Sequence, residues 1–129
     1  MDLATHQSEA FERLSAKGGR RPVHALVTTG TGSGKTECFL YPILDDCLRR
    51  IGRPGIKAII LYPMNALAAD QAARFAKVIW EDPRLKGRVT AGMYVGGAGT
   101  EKTMGPANVI TDRETLRRHP PDILLTNYK

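Results

Sequence analysis

The segment from residue 29 to residue 36 constrains the fold of this chain more than any other feature. It is Thr29-Gly30-Thr31-Gly32-Ser33-Gly34-Lys35-Thr36, which ends as the pattern G-x-x-x-x-G-K-[ST] ends and has Thr29 at the position of the first glycine. Its glycines allow backbone dihedrals that a Cβ would forbid, so successive N–H groups can point at phosphate oxygens. Lys35 supplies a positive charge for the β- and γ-phosphates, and the Thr36 hydroxyl can ligate Mg²⁺. The segment predicts a phosphate-binding loop with Lys35 as its catalytic residue.

The surroundings of this loop agree with that prediction. A short β-rich run at residues 23–28 precedes it, and apolar spacing typical of a helix follows over residues 34–51. Strand, loop and helix in this order are the context that the pattern requires. The alternative is a glycine-rich surface loop that happens to carry a lysine, and the agreement between pattern and context argues against it.

The rest of the chain alternates strand and helix patterns. Residues 56–62 are apolar apart from Lys57, which is typical of a parallel strand buried on both faces. The other predicted elements are an amphipathic helix at 3–16, a helix from 65 to about 80, a strand at 88–95, a short helix at 111–118 and a strand at 122–126. Alternation of this kind indicates an α/β fold with a parallel sheet flanked by helices.

Charge and cysteine content narrow the setting. The 129 residues carry 19 Lys and Arg against 13 Asp and Glu, a net charge of +6. This excess is compatible with a polyanionic partner, and solvated surface is an equally good explanation. No apolar run approaches membrane-spanning length, so we expect no membrane partner.

Cys38 and Cys47 are about 13 Å apart along one predicted helix, too far for a disulfide. They therefore indicate buried thiols in a reducing compartment, the cytoplasm.

Several segments together resemble the first RecA-like domain of superfamily 2 helicases, the DEAD/DEAH-box group. The loop at residues 29–36 is similar to motif I, and Pro63-Met64-Asn65-Ala66-Leu67-Ala68 after a buried strand is similar to motif Ia. Gly96-Gly97 occupies the place of the family's GG element. Thr126-Asn127 lies where the next backbone-contacting motif begins. The resemblance covers nearly the whole chain, and the wording of the motifs is similar to that of large bacterial helicases in DNA repair and phage defence.

The resemblance implies a set of roles. ATP and Mg²⁺ would be the cofactors, bound by the residues of the loop, and Gln7 would read adenine. Gln7 is otherwise a polar residue on an N-terminal helix, and Asn65 can also cap the helix that it begins. The implied contacts to nucleic acid, DNA rather than RNA, are Pro63, Asn65, Ala66, Gly96, Gly97, Thr126 and Asn127. Asn65 stands where many members of the family carry Arg, which would weaken that phosphate contact.

One family element is not found in the sequence. No Asp-Glu-x-His or Asp-Glu-x-Asp segment follows an apolar strand, and Asp122 precedes its strand, at the wrong end to hold Mg²⁺. We therefore expect an N-terminal piece of a larger helicase or translocase, unable to hydrolyse ATP alone and lacking the second RecA-like domain. Residues 1–22 would form a helix and linker, and residues 23–129 an incomplete RecA-like ATP-binding domain. The alternatives are a small P-loop kinase or other NTPase, and a non-catalytic remnant that binds nucleic acid or protein.

Overall fold

A computed structural model describes residues 35–63, 65–97 and 99–127 of the chain. The chain divides into two compact units, residues 1–49 and 50–129. The described part of the first unit is helix α1, Lys35–Arg49. Leu40, Leu44 and Cys47 are buried, and their spacing of four and three residues is that of one helix face. The helix predicted over residues 34–51 is confirmed. The helix predicted at 3–16 and the strand predicted at 23–28 lie outside the described residues.

The described part of the second unit contains three strands and two helices. They are β1 (Ala58–Tyr62), α2 (Asn65–Glu81), β2 (Ala91–Tyr94), α3 (Arg113–Arg118) and β3 (Ile123–Asn127). The strands form one parallel sheet in the order β1-β3-β2. The predicted α/β fold is thus confirmed, and the predicted boundaries differ from these by three residues or fewer. Within the described ranges, none of the helices is long and apolar enough to cross a membrane.

The two helices of this unit cover opposite faces of the sheet. The chain passes from β1 over β3 to β2 by way of α2 and returns to β3 by way of α3. Parallel strands are almost always joined by right-handed crossovers, and two such crossovers that run in opposite directions place their helices on opposite faces. On the α2 side, the buried apolar side chains of the helix pack toward the strands, and Phe75, Ile123 and Leu125 are completely or almost completely shielded from water. This interface is the hydrophobic core of the unit.

On the other face, α3 approaches the sheet at a glycine. A Cβ placed on Gly92 would overlap the Leu116 side chain and would lie 3.0 Å from Pro121 Cγ. The absence of a side chain at position 92 therefore lets α3 pack directly on β2. Ile110 lies at the outer edge of β2, where its amide donates to Ala91 O at 3.1 Å and its carbonyl accepts from Met93 N at 2.9 Å.

The prediction that β1 is buried on both faces is wrong. Its residues alternate between partly buried and exposed, and Ile59 and Leu61 are 61% and 63% exposed. β1 lies at the edge of the described sheet, and the six-residue α3 covers β2 rather than β1. Among the described helices of this unit, α2 contacts β1, and α3 packs on β2 instead.

The three strands begin at one edge of the sheet, which we call the amino edge, and end at the other, the carboxyl edge. Asp122 immediately precedes β3 at the amino edge and bonds to residues that precede the other two strands. Its carboxylate accepts from Lys57 Nζ at 2.6 Å and from Thr90 N at 2.9 Å. Its carbonyl accepts from the backbone amides of Lys57 and Ala58 at 2.7 and 3.1 Å. The prediction that Asp122 precedes its strand is confirmed, and the residue lies at the amino edge.

Candidate nucleic-acid interface at the carboxyl edge

The carboxyl edge brings together three of the segments expected to contact nucleic acid. Because the strands are parallel, Pro63 after β1, Gly96-Gly97 after β2 and Thr126-Asn127 at the end of β3 lie at the same side of the sheet. In the register, Tyr62 pairs with Asn127 and Tyr94 pairs with Thr126. Residues 65 and 32 positions apart in sequence are thus neighbours here. Loops at this edge are where open parallel sheets bind their ligands.

The residues at this edge differ in what they offer a ligand. Pro63, Gly96 and Gly97 are exposed. Gly97 has φ +71°, a left-handed conformation that side chains rarely adopt, so glycine is required there by the backbone. Asn65 and Ala66 are the first two residues of α2, which begins two residues after Pro63. The edge therefore presents backbone and helix-start groups, which suit a phosphate backbone better than a base edge.

Thr126 is already engaged. Its hydroxyl donates to the Tyr94 carbonyl at 2.6 Å, across the ends of β3 and β2. A hydroxyl has a single proton, so in this arrangement Thr126 can only accept a further hydrogen bond. A phosphate oxygen is itself an acceptor, so a direct contact would require the hydroxyl to rotate away from Tyr94.

Two tyrosines, Tyr62 at the end of β1 and Tyr94 at the end of β2, lie in contrasting environments on either side of β3. Burial raises the pKa of Tyr62 to about 12, and its hydroxyl oxygen is shielded from water without a hydrogen-bond partner among the described residues. The Tyr94 hydroxyl accepts from Arg117 Nη2 at 3.2 Å. That hydrogen bond, followed by the charges of Arg117 and Arg113, lowers the pKa of Tyr94.

Tyr94, Arg113 and Arg117 form a cationic surface that was not among the predicted site residues. The Arg113 guanidinium lies 5.2 Å from the centre of the Tyr94 ring, and Arg117 bonds to the hydroxyl of the same side chain. The two arginines are four residues apart and so share a face of α3. The sequence shows that these arginines are clustered, but it does not show that α3 packs against β2, which brings them to Tyr94. Both arginines are exposed and available to an anionic strand.

An open cleft of about 320 Å³ lies beside Gly97 and the start of α3. Its two carboxylates are committed to local bonds. Asp112 caps α3 by accepting from Thr115 N at 3.0 Å and Thr115 Oγ1 at 2.7 Å, and these bonds lower its pKa. Glu114 pairs with Arg118 at 2.8 Å. Asp112 therefore keeps its negative charge beside the cleft, because its partners are uncharged, whereas the charge of Glu114 is balanced by Arg118.

The predicted nucleotide site lies mostly outside the described residues. Gln7 and residues 29–34 are outside, whereas Lys35 and Thr36 are the first two residues of α1. A lysine and a threonine at a helix start are where the phosphate-loop pattern requires them. Within the described ranges, no group of three His, Cys, Asp or Glu residues is arranged to hold a metal ion. Thr36, the single residue that we assigned to Mg²⁺, is the second residue of α1.

Sequence comparison with known proteins identifies the family of the chain. The family model for DEAD/DEAH box helicases matches residues 4–128. The chain is 36% identical over 122 residues to Druantia protein DruE of Escherichia coli strain UMEA 4076-1, covering 86% of the chain and 6% of that protein. It is 36% identical over 118 residues to Lhr helicase/uracil glycosylase of Escherichia coli strain K12, covering 82% of the chain and 7% of that protein.

A third relative is archaeal. The chain is 29% identical over 125 residues to the uncharacterized ATP-dependent helicase MJ1574 of Methanocaldococcus jannaschii, covering 95% of the chain and 16% of that protein. The chain thus spans a small part, 6% to 16%, of the length of these three relatives. No solved structure gives a significant match. With a family match over nearly its whole length, the chain belongs to the DEAD/DEAH box helicases.

Proposed function

We propose that this chain is the ATP-binding part of the first RecA-like domain of an ATP-dependent helicase or translocase, and that its carboxyl edge contacts the backbone of one nucleic-acid strand. The observation that carries the proposal is the meeting of Pro63, Gly96-Gly97 and Thr126-Asn127 at one edge of a single parallel sheet. Asn65 and Ala66 follow Pro63 at the start of α2 and complete the set. Arg113 and Arg117 add positive charge beside Tyr94.

In this proposal α1 supports the nucleotide. Its first backbone N–H groups have no acceptor within the helix, and the helix dipole adds partial positive charge at the same end. Lys35 would neutralise the β- and γ-phosphates, residues 29–34 would cradle them with backbone N–H groups, and Gln7 would read the adenine. The Thr36 hydroxyl would hold Mg²⁺, which when bound neutralises charge that develops on the phosphates.

We further propose that the chain binds ATP without hydrolysing it. Hydrolysis needs an acid above the carboxyl ends of the strands to position Mg²⁺ and water. Asp122 is at the amino edge and is held there by Lys57 and Thr90. A second RecA-like domain, in the same or another chain, would supply the remaining catalytic groups.

The setting completes the proposal. In this proposal, residues 1–22 would form a helix and linker, and residues 23–129 an incomplete ATP-binding domain. DNA is preferred to RNA because the motifs resemble those of large bacterial helicases in repair and defence. The buried thiol of Cys47 suits the reducing conditions of the cytoplasm.

Nucleotide titration tests the ATP site. Calorimetry with Mg-ATP should give weak binding by the 129-residue chain, and Lys35→Ala should weaken it by at least about tenfold through loss of a charge-assisted contact. Lys77→Ala, at an exposed position on α2, is the matched control and should bind as the parent does. Robust ATP hydrolysis that depends on Lys35 would refute the proposed incompetence of the isolated chain.

Nucleic acid separates this proposal from a small P-loop kinase. A fluorescently labelled single strand of 20 nucleotides should bind to the chain and should raise its affinity for Mg-ATP. Arg117→Gln should weaken strand binding at the carboxyl edge, whereas Arg118→Gln, which removes a charge paired with Glu114, is the control. A chain that binds nucleotide but ignores the strand would favour the kinase or NTPase alternative.

A further inference from the structure

The amino edge of the sheet carries a second charged feature that the proposed site does not use. An open cleft of about 470 Å³ lies there, lined by the segment before β1, the segment before β2, the end of α3 and the loop that contains Lys102. Its titratable lining residues are Arg53, Lys57, Arg88, Lys102, His119 and Asp122. Five of these six can carry positive charge, and one can carry negative charge.

The single acid in this lining is fully committed. Asp122 forms a 2.6 Å ion pair with Lys57, whose side chain is only 5% exposed, and also accepts from Thr90. Lys57 donates in addition to the carbonyl of Arg53. The Lys57–Asp122 pair is therefore a largely buried ion pair whose two charges cancel, so it adds no net charge to the cleft.

Three lining cations remain without a salt bridge. Arg53, Arg88 and Lys102 are exposed, and within the part of the chain that the structure describes none of them lies within ion-pair distance of a carboxylate. The charge of Lys102 contributes to the lowered pKa of Asp112, but the two side chains form no salt bridge. The cleft thus carries a net charge of about +3, which repels itself when nothing is bound.

We propose that this amino-edge cleft binds phosphate groups of a nucleic-acid strand, as a second contact separate from the carboxyl edge. The inference rests on the proposed function, because it adds a second footprint for the same kind of ligand. The cations come from three separate segments around an open trough, so they can meet successive phosphates of one strand. A single exposed cation holds one ion weakly, but contacts to several phosphates add through counterion release.

The position of the cleft gives the contact a geometric consequence. Strands of five residues separate the two edges by about 16 Å, so a straight single phosphate row at the carboxyl edge cannot also fill the cleft. The cleft would hold either a strand that wraps around the sheet or the other strand of an opened duplex. In both cases this contact lengthens the segment of nucleic acid that the chain covers.

Salt-dependent binding of a labelled 40-nucleotide single strand tests the inference on the 129-residue chain. The cleft variant is Arg53→Gln, Arg88→Gln and Lys102→Gln together. The matched control is Lys77→Gln, Arg84→Gln and Lys86→Gln together, which removes the same three charges from exposed positions outside the cleft lining. All six positions are exposed, so both variants should fold. The control also removes the Arg84–Asp82 ion pair and the contact of Lys86 with the Trp80 ring, so the circular dichroism spectrum and melting temperature of each variant are compared with those of the parent.

The expected result is quantitative. Loss of three phosphate contacts should reduce the slope of log K against log salt by about 2 for a single strand. The same loss should raise Kd at low salt by at least about tenfold, while the control changes Kd by no more than about twofold. An equal effect in both variants would overturn the cleft and leave the carboxyl-edge proposal standing, whereas no binding by the parent chain would overturn both.

Two competitors separate the nucleic-acid strand from other anions. Inorganic phosphate at constant ionic strength should leave the cleft-dependent part of strand binding in place. Its complete displacement by phosphate would assign the cleft to a single small anion and overturn the proposal. A glutamate-rich peptide that binds the cleft more tightly than the strand does would assign it to an acidic protein partner, which also overturns it.

Discussion

Lys57 and Asp122, 65 positions apart in sequence, form an ion pair of 2.6 Å that joins the start of β1 to the start of β3. The side chains are 5% and 17% exposed, so both charges are largely removed from water. Asp122 also accepts from Thr90, which immediately precedes β2. One carboxylate therefore ties together the amino ends of all three strands.

Removal of this carboxylate should destabilise the chain strongly. Asp122→Ala leaves the Lys57 ammonium buried without its counter-charge, and breaking a buried pair in this way costs about 3–5 kcal/mol. Asp122→Asn retains one acceptor oxygen for Thr90, although it no longer offers Lys57 a negative charge, and it should lose less than Asp122→Ala. Urea unfolding followed by circular dichroism measures both. Glu114→Ala breaks a pair that is 62% and 72% exposed, and it should cost less than about 1 kcal/mol; equal costs for Asp122→Ala and Glu114→Ala would contradict this account.

Gly92 should tolerate no side chain. The Cβ of Gly92→Ala would overlap Leu116 and crowd Pro121, so α3 would have to move away from β2. Overpacking of this kind typically costs about 1–3 kcal/mol. Gly96→Ala is the control, because a Cβ there meets nothing within 4 Å, and it should change the free energy of unfolding by no more than about 0.5 kcal/mol. A thermal melt of the two variants compares them directly.

We expect the Thr126 hydroxyl to contribute to the free energy of unfolding through its bond to Tyr94, whether or not it contacts nucleic acid. Thr126→Val keeps the shape of the side chain but removes the donor to the Tyr94 carbonyl, which costs about 1 kcal/mol. Thr126→Ser keeps the donor and should keep most of the stability. If strand binding falls in Thr126→Val but not in Thr126→Ser, the hydroxyl also serves the interface. Full stability in Thr126→Val would show that the 2.6 Å bond contributes nothing.

Much of the fold follows from local sequence patterns. The apolar run at residues 56–62, the periodic apolar positions after Asn65 and the alternation of the two patterns predicted strands and helices close to those observed. Burial of β1 on both faces did not follow, because it depends on which element covers the edge strand. Ile59 and Leu61 have the same apolar character whether or not a helix lies above them.

Some features of the candidate site also follow from the sequence, whereas others depend on how the elements pack. Residues that directly follow parallel strands must meet at one edge, so the convergence of Pro63, Gly97 and Asn127 was predictable. The Tyr94–Arg117 bond was not, since it depends on how α3 lies against β2. The Lys57–Asp122 pair depends likewise on the strand order β1-β3-β2, which sequence spacing alone does not determine.

The cap of α3 should make stability depend on pH in acid. Hydrogen bonds from the Thr115 hydroxyl, and then from the Thr115 amide, hold the pKa of Asp112 below its usual value of 3.8. A carboxyl group whose pKa is lower in the folded state contributes stability that is fully present above its unfolded pKa. That contribution is lost as pH falls through the folded pKa. Wild-type stability should therefore fall below about pH 4 by an extra amount that comes from Asp112.

The difference between wild type and Asp112→Asn isolates this contribution, because Asn still caps the helix but does not titrate. The difference in free energy of unfolding should be constant from about pH 5 to pH 7 and should shrink as pH falls below about 4. Thr115→Val removes the hydrogen bond from the Thr115 hydroxyl and leaves the amide bond in place, so it should weaken the pH-dependent part. Urea unfolding at each pH gives these values. A difference that stays constant down to pH 2 would mean that protonation of Asp112 does not weaken the cap, contrary to the geometry of its two bonds with Thr115.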